Sequence, residues 1–419
     1  MKTTLNIEDE FFLINGRKIY SEIAGSKPRS HGLLMNARFI QGVFDDKADP
    51  ARFARFGWDA WDPERNTHNL IEALPEWYAY GLRAITVGFQ GGMPVLTIAN
   101  ETINNNPYSE DGKSIDEKYL ERMDAIIRAA DHLGMIVIVS LLYQGQSPRL
   151  RDARTIRNAV TAGSRFLREN GYTNVIIETA NECNVGYFRD RPLVSSSEGA
   201  ATLLDLARYE SGGLPVGCSM GGGDYDREIA EASDVILIHG NGLTRQQYSN
   251  QVRAVRAFGL NKPIVCNEDS PCIRRLDVAF DTQTSWGYYN NHTKQEPPAD
   301  WSVTPGEDLF FARRMARGIG IPLHELPVEE QFVFMGFEPA MTYKGLRWLR
   351  IAAEHPERID FVRFFCNDRL VFTAYDEPFY LHYQTTWIQQ GVVVNLGDIW
   401  RAEVTLSDGS TVQLEKEIM

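Results

Sequence analysis

The chain has 419 residues, 43% hydrophobic and 24% charged, with a formal net charge of -13 and a sequence pI of about 5.2. That length predicts one large domain and a smaller one. The acidic balance argues against a general nucleic-acid binder, which needs a basic face, and no apolar run approaches the roughly 20 residues that span a bilayer.

The N-terminus, Met1 to Glu10, lacks the apolar core of a signal peptide. The expectation is a cytoplasmic protein, or a secreted one whose leader has been removed. The five cysteines at 183, 218, 266, 272 and 366 are scattered and odd in number, with no CxxC pair. They predict free buried thiols rather than a zinc ribbon or a disulfide framework.

From about residue 30 to 320, short apolar runs alternate with amphipathic stretches. The runs are Gly32–Phe39, Leu82–Phe89, Met135–Tyr143, Asn174–Ala180, Leu214–Met220, Asp234–His239, Pro263–Asn267 and Thr284–Tyr289. Each is short and nearly continuous, as parallel strands buried on both faces require. Helical patterns cover Thr67–Tyr80, Ile115–Leu133 (capped by Ser114), Arg151–Asn170 and Gln246–Phe258. Eight such runs predict an α/β fold of the (β/α)8 barrel type, or TIM barrel, over residues 1–324 with a short lead-in. A doubly wound sheet would often carry a glycine-rich loop after its first strand, and Asn36 to Gln41 offers none.

After about residue 325 the texture changes. Glu354 to Arg358 reads as a proline-broken turn. Short strands follow at Ile359–Cys366, Arg369–Ala374, Phe379–Tyr383, Gly391–Asn395, Trp400–Leu406 and Val412–Lys416, with Asn367-Asp368 and Asp408-Gly409 as turns. They predict an antiparallel β-sandwich over 325–419.

A barrel places its site at the C-terminal ends of its strands. The fourth run ends in Asn181-Glu182 and the seventh in Asn267-Glu268, so two carboxylates face each other across the mouth. Such a pair is what glycosidic cleavage needs: one carboxyl protonates the leaving oxygen, while the other attacks the anomeric carbon or activates water. Glu178 shares the parity of Glu182 but lies too deep for substrate, and reads as structural. Tyr143, Gln144 and Gln90 also close strands and can meet hydroxyls. Gly217 to Gly223 has the look of a phosphate loop but lacks the Lys-Ser/Thr that would complete it. No cluster has metal-ligand spacing, no Gly-x-Ser-x-Gly elbow is present, and no cofactor is expected.

The stretch Ile177-Glu178-Thr179-Ala180-Asn181-Glu182-Cys183-Asn184 resembles the fourth-strand motif of glycoside hydrolase clan A. The resemblance covers roughly residues 30–320. It implies a retaining hydrolase acting on a carbohydrate, with Glu182 as acid/base, Asn181 on the sugar 2-hydroxyl and Glu268 as nucleophile. It also implies Trp286 as the aromatic platform and His239 as a contact of the nucleophile. Many clan members carry an Arg at the end of the second strand. Here that strand ends Val87-Gly88-Phe89-Gln90, a departure from the pattern, and Arg38 at the end of the first run is the candidate to supply the positive charge instead. The C-terminal strands resemble the immunoglobulin-like accessory domains of glycosidases. Plain alternatives stay open for each residue: rim salt bridges for Glu182 and Glu268, a core histidine for His239, packing for Trp286, a surface role for Arg38. At the level of function the alternative is a glycan-binding pseudoenzyme. A metal-dependent amidohydrolase lacks its His-x-His at the first strand.

Overall fold

The structure, a computed structural model, describes residues 1–54, 58–94, 100–337, 342–343, 345–382 and 391–418. A three-stranded antiparallel lead-in comes first: β1 (Leu5–Glu8), β2 (Phe11–Ile14) and β3 (Arg17–Lys18). Leu5 and Phe12 of this lead-in are buried in the main core.

Eight parallel strands follow, each within a residue of a predicted run. They are β4 (Asn36–Arg38), β5 (Ala84–Gly88), β6 (Ile136–Tyr143), β7 (Val175–Asn181), β8 (Val216–Gly217), β9 (Ile236–His239), β10 (Ile264–Glu268) and β11 (Gly287–Tyr288). Six form one sheet in the order β11-β4-β5-β6-β7-β8, and β9 and β10 form a parallel pair. Backbone contacts join the two groups on both sides. Val216 O accepts from Asp234 N at 2.8 Å and Val235 N at 3.1 Å, and Val265 bridges Ser285 in parallel. Every residue of β5 and β7 is buried, which explains their unbroken apolar texture.

Helices flank the strands: α1 (Pro63–Ala79), α2 (Glu117–Leu133), α3 (Ala153–Glu169), α4 (Pro192–Ser195), α5 (Ser197–Glu210), α6 (Arg227–Ala232), α7 (Arg245–Arg256), α8 (Arg275–Thr282) and α9 (Glu307–Ile319). The cap of α2 is Asp116, not Ser114. The Asp116 carboxylate accepts from Lys118 N, whereas Ser114 is tied back to Ser109 in the preceding turn. None of the helices among the described residues is long and apolar enough to cross a membrane.

The C-terminal region carries β12 (Phe332–Met335), β13 (Thr342–Tyr343), β14 (Leu346–Arg347), β15 (Arg350–Ala353), β16 (Ile359–Cys366), β17 (Arg369–Ala374), β18 (Val392–Val393), β19 (Ile399–Leu406) and β20 (Thr411–Glu417). The main antiparallel sheet has the order β17-β16-β19-β20. The pair β12-β15 and the triplet β13-β14-β18 accompany it, in the manner of a small β-sandwich. Asn367 and Asp368, at φ 48° and 62°, make the tight β16–β17 hairpin that their residue types predict. These strands enclose their own core around Phe332, Val362, Phe364, Trp400 and Val404. The predicted strand Phe379–Tyr383 reduces to one bridge, Tyr380 with Arg350, because Phe379 and His382 turn left-handed (φ 53° and 61°) and break the extended run. Tyr383 lies outside the described residues.

Candidate active site

Two local irregularities aim the carboxylates. Glu182 directly follows β7 with φ 53°, a left-handed conformation that side-chain-bearing residues adopt only when held. The hold is Ser219, whose Oγ accepts the Glu182 N–H at 3.0 Å. On β10 the pairing with β9 shifts. Cys266 lies opposite Ile238 and Glu268 opposite His239, so Asn267 is an extra residue in a bulge. A bulge re-aims the side chains beside it.

A carboxylate oxygen of Glu182, one of Glu268 and a ring nitrogen of His239 all lie within 4.8 Å of one another. His239 is fully buried; its Nδ1 is 3.1 Å from Glu182 Oε1 and 3.8 Å from Glu268 Oε2. Arg38, on β4, sets its Nε 2.7 Å from Glu268 Oε2 and donates from Nη2 to Asn181 Oδ1. Asn241, two residues past His239, donates to Glu268 Oε1 at 2.9 Å. The Glu182 side chain keeps 22% of its surface exposed against 9% for Glu268, so Glu182 is the more open carboxyl of the two.

The electrostatics follow from these neighbours. Burial pushes the Glu268 carboxyl above its ordinary range, with the charge of Glu182 adding to it, and Arg38 and His239 only partly offset this. Burial also raises Glu182, but its hydrogen bond to His239 and the positive charges of His239 and Arg38 win, and the group lies below its ordinary range. His239 would be lowered by burial, yet the charge of Glu268 and the bond to Glu182 carry it above. The contact between Glu182 and His239 thus draws the two groups in opposite directions, the carboxyl down and the imidazole up. By donor type the three groups would also suit a metal. The Arg38 guanidinium already supplies positive charge beside Glu268, and a second cation there meets its repulsion.

The other sequence-predicted residues divide. Tyr143 is at the site: burial and then the charges of Glu182 and Glu268 push its phenol up to about 12, against a hydrogen bond to Met93. Gln90 is not available to a ligand as expected. Its amide is spent inside, Nε2 donating to Asn106 Oδ1 at 2.8 Å and Oε1 accepting from Tyr143 N at 2.7 Å. Trp286 also departs from expectation. It is fully buried against α9, 5.8 Å from the Phe311 ring, with its Nε1 donating to Asp269 Oδ2 at 2.7 Å. The reason is parity. Gly287 lies opposite Asn36, on the face that Asn36 shares with Arg38, so Trp286 and Tyr288 point outward. Gly287 has no room for a side chain, because Asn36 crosses it to reach Cys266 O.

Sequence reasoning missed Tyr289 and Asn241. Tyr289 is the aromatic on the site side of this strand, with Arg38 5.6 Å from its ring centre. Its signal was available: it stands two residues past Gly287, in step with Arg38. Asn241 sits in a loop whose course no periodicity specifies. Gly217 to Gly223, the stretch with the look of an incomplete phosphate loop, contributes Ser219. The five thiols are free, four of them buried and Cys366 half-buried.

No protein-family model matches the chain, and no curated protein matches its sequence. Among solved structures it is similar to a β-glucuronidase from Parabacteroides merdae, with 11% identity and TM-score 0.43, over 100% of this chain and 51% of that one. It is also similar to an endo-β-1,4-mannanase from Thermotoga petrophila, with 13% identity and TM-score 0.45, over 92% of this chain and 97% of that one. A β-mannanase from the blue mussel Mytilus edulis gives 11% identity and TM-score 0.47, over 75% and 97%. The chain spans about half the length of the β-glucuronidases from Parabacteroides merdae and Bacteroides uniformis. Likenesses this distant carry no chemistry across, which has to come from the site itself.

Proposed function

We propose that the chain is a retaining glycoside hydrolase of the clan A type, cleaving an O-glycosidic bond in an oligo- or polysaccharide. The observation that carries this reading is the approach of Glu182 and Glu268, with carboxylate oxygens within 4.8 Å. Retaining enzymes hold their two carboxyls about 5 to 5.5 Å apart, whereas inverting ones leave about 6.5 to 9.5 Å for a water. The architecture proposed is a closed (β/α)8 barrel over 1–324 and an immunoglobulin-like β-sandwich over 325–419. The links from β8 to β9 and from β10 to β11 support closure. The separate core that begins at Phe332 supports the boundary.

Glu268 is the nucleophile. Arg38 and Asn241 fix its two oxygens, and it attacks the anomeric carbon as the glycosidic C–O bond breaks. Glu182 gives the leaving oxygen its proton, resupplied along the hydrogen bond from His239 Nδ1. In the second step Glu182 takes a proton from water as that water attacks the glycosyl ester, and the Glu268 carboxylate is released. Asn181, held by Arg38, and Tyr143 and Tyr289 line the place of the sugar.

The test is hydrolysis of a panel of aryl glycosides and oligosaccharides, with the first product's anomer read by NMR. Retention is expected. Glu268→Gln should lower turnover at least about 10⁴-fold, as loss of a nucleophile does, and a 2-fluoro glycoside should label the peptide bearing Glu268. Inversion, or an active Glu268→Gln enzyme, ends the reading. Sugar binding without any turnover assigns the cleft to a glycan-binding pseudoenzyme.

A further inference from the structure

We infer that Glu178, the carboxylate buried on β7 below the cleft, is a positioning residue that fixes both catalytic carboxylates at once. This rests on the roles proposed for Glu182 and Glu268. Glu178 is fully buried, and a single oxygen does the work: Oε1 accepts from Ser219 Oγ at 2.7 Å and from Asn267 Nδ2 at 2.9 Å.

Each of those donors controls one irregularity of the site. With its proton given to Glu178, the Ser219 hydroxyl has a lone pair to offer, and it accepts the Glu182 N–H at 3.0 Å. Ser219 O accepts the next amide, Cys183 N–H, at 2.9 Å. The left-handed backbone of Glu182 is therefore pinned by a serine whose rotamer Glu178 sets. Asn267 is the extra residue of the β10 bulge, immediately before Glu268. Its amide on Glu178 fixes the backbone that launches the nucleophile.

A core position seldom takes such a residue for stability alone. Burying a carboxylate costs desolvation that an apolar side chain of like volume, filling the same space, does not incur. Here Oε2 has no hydrogen-bond partner among the described residues, as is also true of Arg38 Nη1 and His239 Nε2 nearby. Such frustration persists where the surroundings use it for function.

The experiment compares Glu178→Ala, Glu178→Gln and Ser219→Ala with the wild type. Glu178→Ala should lower kcat by about 10²-fold, the penalty of roughly 1 Å of misplacement, with KM within about threefold. Glu178→Gln should recover most of that loss, because its amide oxygen accepts both bonds. Ser219→Ala, which removes one hydroxyl and decides the matter if Glu178→Ala fails to fold, should lower kcat about tenfold at unchanged KM. Wild-type kcat in the folded Glu178→Ala or the Ser219→Ala protein, or a Gln variant as damaged as Ala, overturns the inference. A measurement free of turnover separates this from the proposed function. The imidazole nitrogen spectrum of His239 should lose its Glu182 hydrogen-bond signature in Glu178→Ala and keep it in Glu178→Gln. An unchanged His239 spectrum in Glu178→Ala overturns the role of Glu178 even if the wild type hydrolyses nothing on the panel.

Discussion

Asp308 and Glu268 are both carboxylates buried beside a cation, and they end on opposite sides of their ordinary ranges. Asp308 pairs with Lys294 Nζ at 2.7 Å and accepts from Tyr288 OH at 2.6 Å, Asn290 Nδ2 at 3.0 Å and Thr304 Oγ1 at 2.6 Å. Burial raises its carboxyl, but the Lys294 charge and these bonds outweigh it, and the group is held low. Glu268 has Arg38, one amide and a histidine 3.8 Å away, and there burial wins. The difference is one of supply: the Asp308 charge is saturated with donors, and the Glu268 charge is not. The saturated cluster also continues across the chain. Glu307 Oε1 lies 3.0 Å from the same Tyr288 hydroxyl, and Glu307 pairs with Arg350 of β15 at 2.7 Å, which ties α9 to the β-rich region. Arg313 and Arg317 repeat the pattern on Glu354, at 2.5 and 2.7 Å.

Breaking the saturated cluster should have the largest effect on stability. Arg350→Met leaves Glu307 buried without its cation, which costs about 3 to 5 kcal/mol; urea titration should read that loss. Replacing both Arg350 and Glu307 by apolar residues should recover much of it. A single Arg350→Met variant as stable as the wild type would contradict the structural role of the pair.

The unsaturated cluster should show itself in pH dependence instead. On the proposed mechanism turnover needs Glu268 ionised, so it should fall as pH drops through a carboxyl raised above its ordinary range. It also needs the proton on the Glu182–His239 pair, so it falls as pH rises through an imidazole raised above its own. His239→Asn should move the alkaline limb to lower pH, because Glu182 alone then holds the proton. Turnover at neutral pH should drop by about 10²-fold, within what positioned proton transfer contributes. An unmoved alkaline limb would remove His239 from the proton path.

The smallest effect should come from Trp286→Phe. It leaves Asp269 Oδ2 without its indole partner and should cost about 1 to 3 kcal/mol of stability. KM and kcat should not change, since the ring faces α9. A rise in KM for the sugar would restore Trp286 to the binding surface.

Much of this was legible beforehand. The eight strands, the β16–β17 hairpin and the two Glu at strand ends all follow from run length, glycine and turn residues, which are local properties. Gln90 and Trp286 were read from strand ends and a family likeness alone. Which way they point depends on pairing across the sheet, and on whether a neighbour such as Asn106 or Asp269 claims their polar atoms. Ser114 looked like a helix cap until Ser109 engaged it.

The sequence by itself determined how many buried strands form and which carboxylates finish the fourth and the seventh, because a continuous apolar run closed by Asn-Glu needs no distant partner to be read. Only the tertiary structure decided how those carboxylates meet. The left-handed turn at Glu182 and the bulge at Asn267 are held by Ser219 and Glu178. His239 comes between the pair, and Tyr289 rather than Trp286 faces Arg38. Those aims are set by register and hydrogen bonds between strands far apart in sequence, where a shift of one residue turns a side chain to the other face.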